Sequence, residues 1–131
     1  MSVKRLDHVG VVVADPAAAR RFLTDALGLE VDREVDASSI GRRGVFFRCG
    51  DVEIELIEEL DPAERERVLG GARAKIEHLA VRVDSMQETM AALSAKGVRF
   101  SRGPVALGGR QNTWTDGDSC EGIVFQLIEK P

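Results

Sequence analysis

Two histidines are all this chain has, and they occupy matching places. His8 lies in LDHVGVVVAD at 6–15 and His78 in IEHLAVRVDS at 76–85. A second pair of stretches matches in the same way. VEIELIE at 52–58 carries Glu55, and GIVFQLIE at 122–129 carries Gln126. His78 comes 70 residues after His8 and Gln126 comes 71 after Glu55, so two anchors define one duplication. Strand alternation then sorts the side chains. Val9, Val11 and Val13 point to the core, and His8 points away with Gly10 and Val12. Leu79, Val81 and Val83 oppose His78; Ile54 and Leu56 oppose Glu55; Ile123, Phe125 and Leu127 oppose Gln126. If the two halves curl their sheets toward each other, the four polar residues converge in a cleft. Two imidazoles, a carboxylate and an amide oxygen suit one divalent ion such as Co, Ni, Zn, Mn or Fe. The set contains no thiolate, unlike a structural zinc knot.

The elements that carry these residues repeat as well. In the first half, Asp15 caps a helix that starts at Pro16, and Gly28 stops it. Ala19, Phe22, Leu23, Ala26 and Leu27 form its expected buried stripe. LEVDREV, GVFFRC and VEIELIE are three strands, with the loop DASSIG between the first two. DPAERERVLG at 61–70 reads as a solvated linking helix. In the second half, Ser85 and Glu88 form a capping box, and Met86, Met90 and Leu93 form the buried side of the helix it opens. VRFSRG, QNTWT and GIVFQLIE are its strands, and GPVALGGR at 103–110 reads as a long ligand-touching loop. The expectation is a single domain over 1–131. Module one spans about 1–60, the linker about 61–70 and module two about 75–131.

Composition narrows the functions open to such a chain. A net charge of −4 without a long like-charge run argues against nucleic acid. The apolar run VGVVVA is too short to span a bilayer, and no leader pattern precedes it, so the expectation is a cytoplasmic protein. Cys49 and Cys120 match no zinc spacing and are expected to be reduced thiols. No Tyr is present, and Trp114 is the one Trp, which leaves no phenol acid and little aromatic surface for stacking.

LDHVGVVVAD, ALGLEV, VEIELIEEL, IEHLAVRVDS, AKGVRF and GIVFQLIE together resemble the vicinal oxygen chelate superfamily, which includes glyoxalase I, bleomycin resistance proteins and extradiol dioxygenases. The likeness covers nearly the whole chain and is strongest toward methylmalonyl-CoA epimerase-type members. It implies an α+β fold: two tandem βαβββ modules in a cupped eight-stranded mixed sheet, with helices outside. It also implies a metal site at His8, Glu55, His78 and Gln126, and a homodimer. The implied substrate is a small carbonyl compound, such as an acyl-CoA or a thiol adduct.

The chemistry so implied is proton transfer at the carbon next to a carbonyl, by a metal-dependent isomerase, epimerase or lyase. Two departures bear on it. Epimerase members place Gln at the second ligand position and Glu at the last, whereas this chain has Glu55 second and Gln126 last. Glu55 is therefore the expected catalytic base. Those epimerases also draw a second Glu from the stretch before the third strand, where DASSIGRRG offers only Asp36 and Ser38. A lactoylglutathione lyase of the glyoxalase I type is the first alternative. An Fe(II) extradiol dioxygenase built on His8, His78 and Glu55 is the second, and a metal-free binding protein for drug-like molecules the third. Arg110 is the leading candidate to hold an anionic part of the substrate, with Arg99 and Arg102 behind it.

Overall fold

The computed structural model describes residues 3–107 and 109–129. The first half runs β1 (Val3–Val13), α1 (Pro16–Arg21), β2 (Val31–Ala37), β3 (Arg42–Cys49) and β4 (Val52–Glu59). After α2 (Pro62–Leu69), the second half repeats the order with β5 (Ala74–Val83), α3 (Met86–Ser94), β6 (Phe100–Leu107), β7 (Arg110–Thr115) and β8 (Phe125–Glu129). The eight strands form one mixed sheet in the order β2-β3-β4-β1-β5-β8-β7-β6. Pairing is parallel for β1 with β4 and for β5 with β8, and antiparallel along β2-β3-β4 and β6-β7-β8. This is the mixed α+β architecture expected from the duplicated pattern. No helix among the described residues is long and apolar enough to cross a membrane.

The chain divides into two compact units, His8–Glu77 and Met1–Asp7 with His78–Pro131. In the first, α1 starts where Asp15 accepts a hydrogen bond from the Ala18 amide at 3.0 Å. Beneath it pack Val13, Phe47 and Leu56, with Ala19, Leu23 and Val45 around them. Complete burial of Phe47 contributes about 2–3 kcal/mol. In the second unit, the Ser85 hydroxyl accepts from the Glu88 amide and starts α3. Its Met86 joins Val81, Val83 and Leu127 in the core, with Met90 and Leu93 against them.

Four details differ from the sequence reading. The helix stripe breaks because α1 passes into a π-helical turn at Phe22–Ala26. The wider turn rotates the residues beyond it, so Leu23 packs inward while Phe22 and Leu27 are exposed. The linker helix is not wholly solvated: Leu69 is buried with Val12 and Ile57, which form an apolar layer on the face that carries His8. Ile123 is exposed because β8 begins only at Phe125. The predicted loop 103–110 is mostly strand. β6 continues through Pro104 to Leu107 because an edge position tolerates a missing amide donor, and its register shifts accommodate the proline. Gly108, in that stretch, lies outside the described residues.

Candidate metal centre

In the His8–Glu77 unit, parallel register sets Gly10 opposite Glu55, with His8 two residues earlier on the same face. His8 is buried, and its Nε2 lies 3.4 Å from Glu55 Oε1. The cross-strand partner of Glu55 is Phe46, whose ring meets the His8 ring edge-on at 5.1 Å. Gly44 lies one rung further along β3, opposite Ile57. A Cβ there would stand 2.7 Å from Glu55 Oε2, so the absent side chain makes room for the second carboxylate oxygen. Behind Phe46, Arg33 lies 3.9 Å above its ring and binds Glu53 at 2.8 Å and Asp32 at 2.9 Å. Burial raises the Glu53 carboxyl above its ordinary pKa, against the opposing hydrogen bond from Arg33.

The other unit repeats the register. Ala80 stands opposite Gln126, with buried His78 two residues before it on the same face. Gln126 thus stands to His78 as Glu55 stands to His8. Its Nε2 donates to Asn112 Oδ1 at 3.0 Å, and Asn112 Nδ2 donates to the Arg110 carbonyl at 3.0 Å. A backbone carbonyl can only accept. That fixes the polarity of Asn112, and Asn112 in turn fixes which end of the Gln126 amide is the donor toward it, leaving Oε1 as the acceptor. Asn112 faces Ile128, the same rung that Gly44 takes in the other unit.

His8, Glu55 and His78 each offer one ligand atom, and these atoms lie within 4.8 Å of one another. A divalent ion bound at about 2.1 Å spaces its ligand atoms up to about 4.2 Å apart, so a small contraction would let the three atoms reach one ion. Two buried imidazoles and a half-buried carboxylate fit such an ion.

The remaining candidates fall elsewhere. Asp36 pairs with Arg43, and Arg43 with Glu58, three residues from Glu55 along β4. Odd spacing turns Asp36 to the opposite face of the sheet, where it lines an open cavity of about 490 Å³ with Arg20, Glu34 and Glu58. Hydrogen bonds from Ser38 hold its carboxyl below the ordinary pKa. It is not placed to act as a second acid beside Glu55. Arg110 lies 3.9 Å from buried Asp7, which also takes Arg82 at 2.6 Å, and Arg99 binds Asp116 at 3.2 Å. Cys49 and Cys120 form no disulfide. The sequence reading missed Gly44, Phe46 and Asn112. Their signal lay in the alternation of GVFFRC and QNTWT, read at the offset the histidines give.

Residues 7–114 match the model of the glyoxalase/bleomycin resistance protein/dioxygenase superfamily, and the chain belongs to that family. Bos taurus mitochondrial methylmalonyl-CoA epimerase is 28% identical over 130 residues, covering 94% of this chain and 73% of the relative. Methylmalonyl-CoA epimerase from Mycobacterium tuberculosis superposes with a TM-score of 0.86 at 25% identity, covering 98% of this chain and 89% of that one. A hypothetical protein from Bacillus halodurans, BH1468, is 26% identical, with a TM-score of 0.85 and coverage of 97% and 94%.

Proposed function

We propose that this protein is a divalent-metal-dependent enzyme that moves a proton at the carbon next to a thioester or ketone carbonyl. The observation that carries the reading is the grouping of His8, Glu55 and His78 ligand atoms. Similarity to methylmalonyl-CoA epimerases supports an epimerase-like reaction on an acyl-CoA. In this reading His8, Glu55, His78 and Gln126 would hold the ion, and it would supply Lewis acidity toward the substrate carbonyl. Glu55 would contribute its carboxylate to the ion's shell and accept the substrate proton, with Gly44 leaving room beside Oε2. Buried Phe46, the cross-strand partner of Glu55, stands beside that residue. Two copies of the chain form the working unit, which a sedimentation measurement tests.

A second reading, a one-base isomerase or lyase, is favoured by the orientation of Asp36. With Asp36 on the far face, Glu55 both removes and returns the proton. Incubation with methylmalonyl-CoA in D₂O tests the proposal and separates the two readings. Exchange of the α-proton followed by NMR, with inversion followed on a chiral column, supports epimerisation. Exchange without inversion supports the one-base reading. Glu55→Gln is expected to lower exchange at least about a hundredfold while the protein still binds Co(II). Full exchange in that variant removes Glu55 as the base.

A further inference from the structure

We infer that Arg102, stacked on Trp114, is a subsite for an anionic group of the substrate: a carboxylate carried close to the reacting carbonyl. The inference rests on the metal centre proposed above and names the class of molecule it accepts. Each unit builds the same row across its strands, on the face that carries its histidine. One row is Glu55, Phe46 and Arg33, paired in register, with the guanidinium 3.9 Å over the phenyl ring. The other is Gln126, Trp114 and Arg102, paired in the same way, with the guanidinium 5.0 Å from the indole centroid.

The rows match in shape and differ in charge. Arg33 is neutralised by Asp32 and Glu53. Arg102 has no carboxylate within ion-pairing distance among the described residues, and its row ends in the neutral Gln126. By contrast, Arg82 and Arg110 are engaged by Asp7 and Arg99 by Asp116. The guanidinium lies over the indole and Arg102 is exposed, which leaves its donors available to receive a carboxylate through two parallel bonds. Strand spacing sets the reach. Trp114 is one strand and Arg102 two strands from Gln126, so the charge lies about 5–10 Å from the ion ligand. That distance suits a carboxylate a few bonds from a metal-held carbonyl, and it is short for a phosphate at the end of a long tail.

The test uses Co(II)-loaded full-length protein, with metal content checked by elemental analysis. Binding of 2-oxoglutarate and of its 5-methyl ester is measured by calorimetry. Both probes present the same 2-oxo acid to the ion, and only the first adds a distal carboxylate. The native protein is expected to prefer 2-oxoglutarate about tenfold or more. Arg102→Met should abolish the preference with unchanged Co(II) content, and Arg99→Met should keep it. Absence of preference in the native protein, or its survival in Arg102→Met, overturns the subsite alone. Failure of the native protein to take up Co(II) overturns the subsite together with the metal centre. Tighter binding of 3-phosphonopyruvate than of 2-oxoglutarate, lost in Arg102→Met, overturns the carboxylate assignment in favour of phosphate.

Discussion

Gly44 and Asn112 show how much of the candidate centre depends on residues that ligate nothing. Each sits one rung beyond the cross-strand partner of a ligand position, and each suits the group beside it. Gly44 leaves space for the Glu55 carboxylate, and Asn112 orients the Gln126 amide. Gly44→Ala places a methyl 2.7 Å from Glu55 Oε2, the far end of a flexible side chain, so the side chain moves and the fold does not. Unfolding free energy is expected to fall by less than about 1 kcal/mol, while Co(II) affinity drops about tenfold in a chelator competition. Unchanged affinity would show that Glu55 does not need that room. The histidines and their faces were legible in the sequence because alternation is local. The neighbours were not, since a glycine in a strand declares its purpose only once β3 and β4 are in register.

Among the elements, β3 carries several ion pairs, those of Arg42, Arg43 and Arg48. Arg42, its first residue, binds Glu59 on β4 and Glu77 on β5. Burial opposes its charge, but Glu77 and Glu59 outweigh that and raise its pKa further above the ordinary arginine value. Glu59 is almost wholly buried, so removing Arg42 strands a carboxylate. Arg42→Met is expected to cost about 2–4 kcal/mol in urea unfolding, and adding Glu59→Met should recover part of it. If the double variant is as unstable as the sum of both singles, the pair is not coupled. Helix starts at Asp15 and Ser85 were readable from capping chemistry. The π-helical turn and the passage of β6 through Pro104 were not. The first depends on packing around Leu23 and the second on an edge position, and neither leaves a local trace.

At the scale of the molecule, the duplication was the legible feature, because it repeats in both residue type and spacing. The strand order came only with the structure, since pairing partners lie far apart in the chain. On the proposed function, metal binding should be a source of stability. At a hundredfold excess over its dissociation constant, a bound ion adds about 2.7 kcal/mol. Co(II) is therefore expected to raise the melting temperature by about 10 °C, reversibly with chelator, and His8→Ala and His78→Ala should remove the rise. The Asn112 contact also couples two positions. Gln126→Glu alone would set a new carboxylate against the Asn112 Oδ1, which the Arg110 carbonyl holds as an acceptor. That variant is expected to bind Co(II) more weakly than Gln126→Glu with Asn112→Gly, as chelator competition can measure. Gln126 and Asn112 are therefore expected to tolerate exchange only together, because the amide of one sets the polarity that the other must meet.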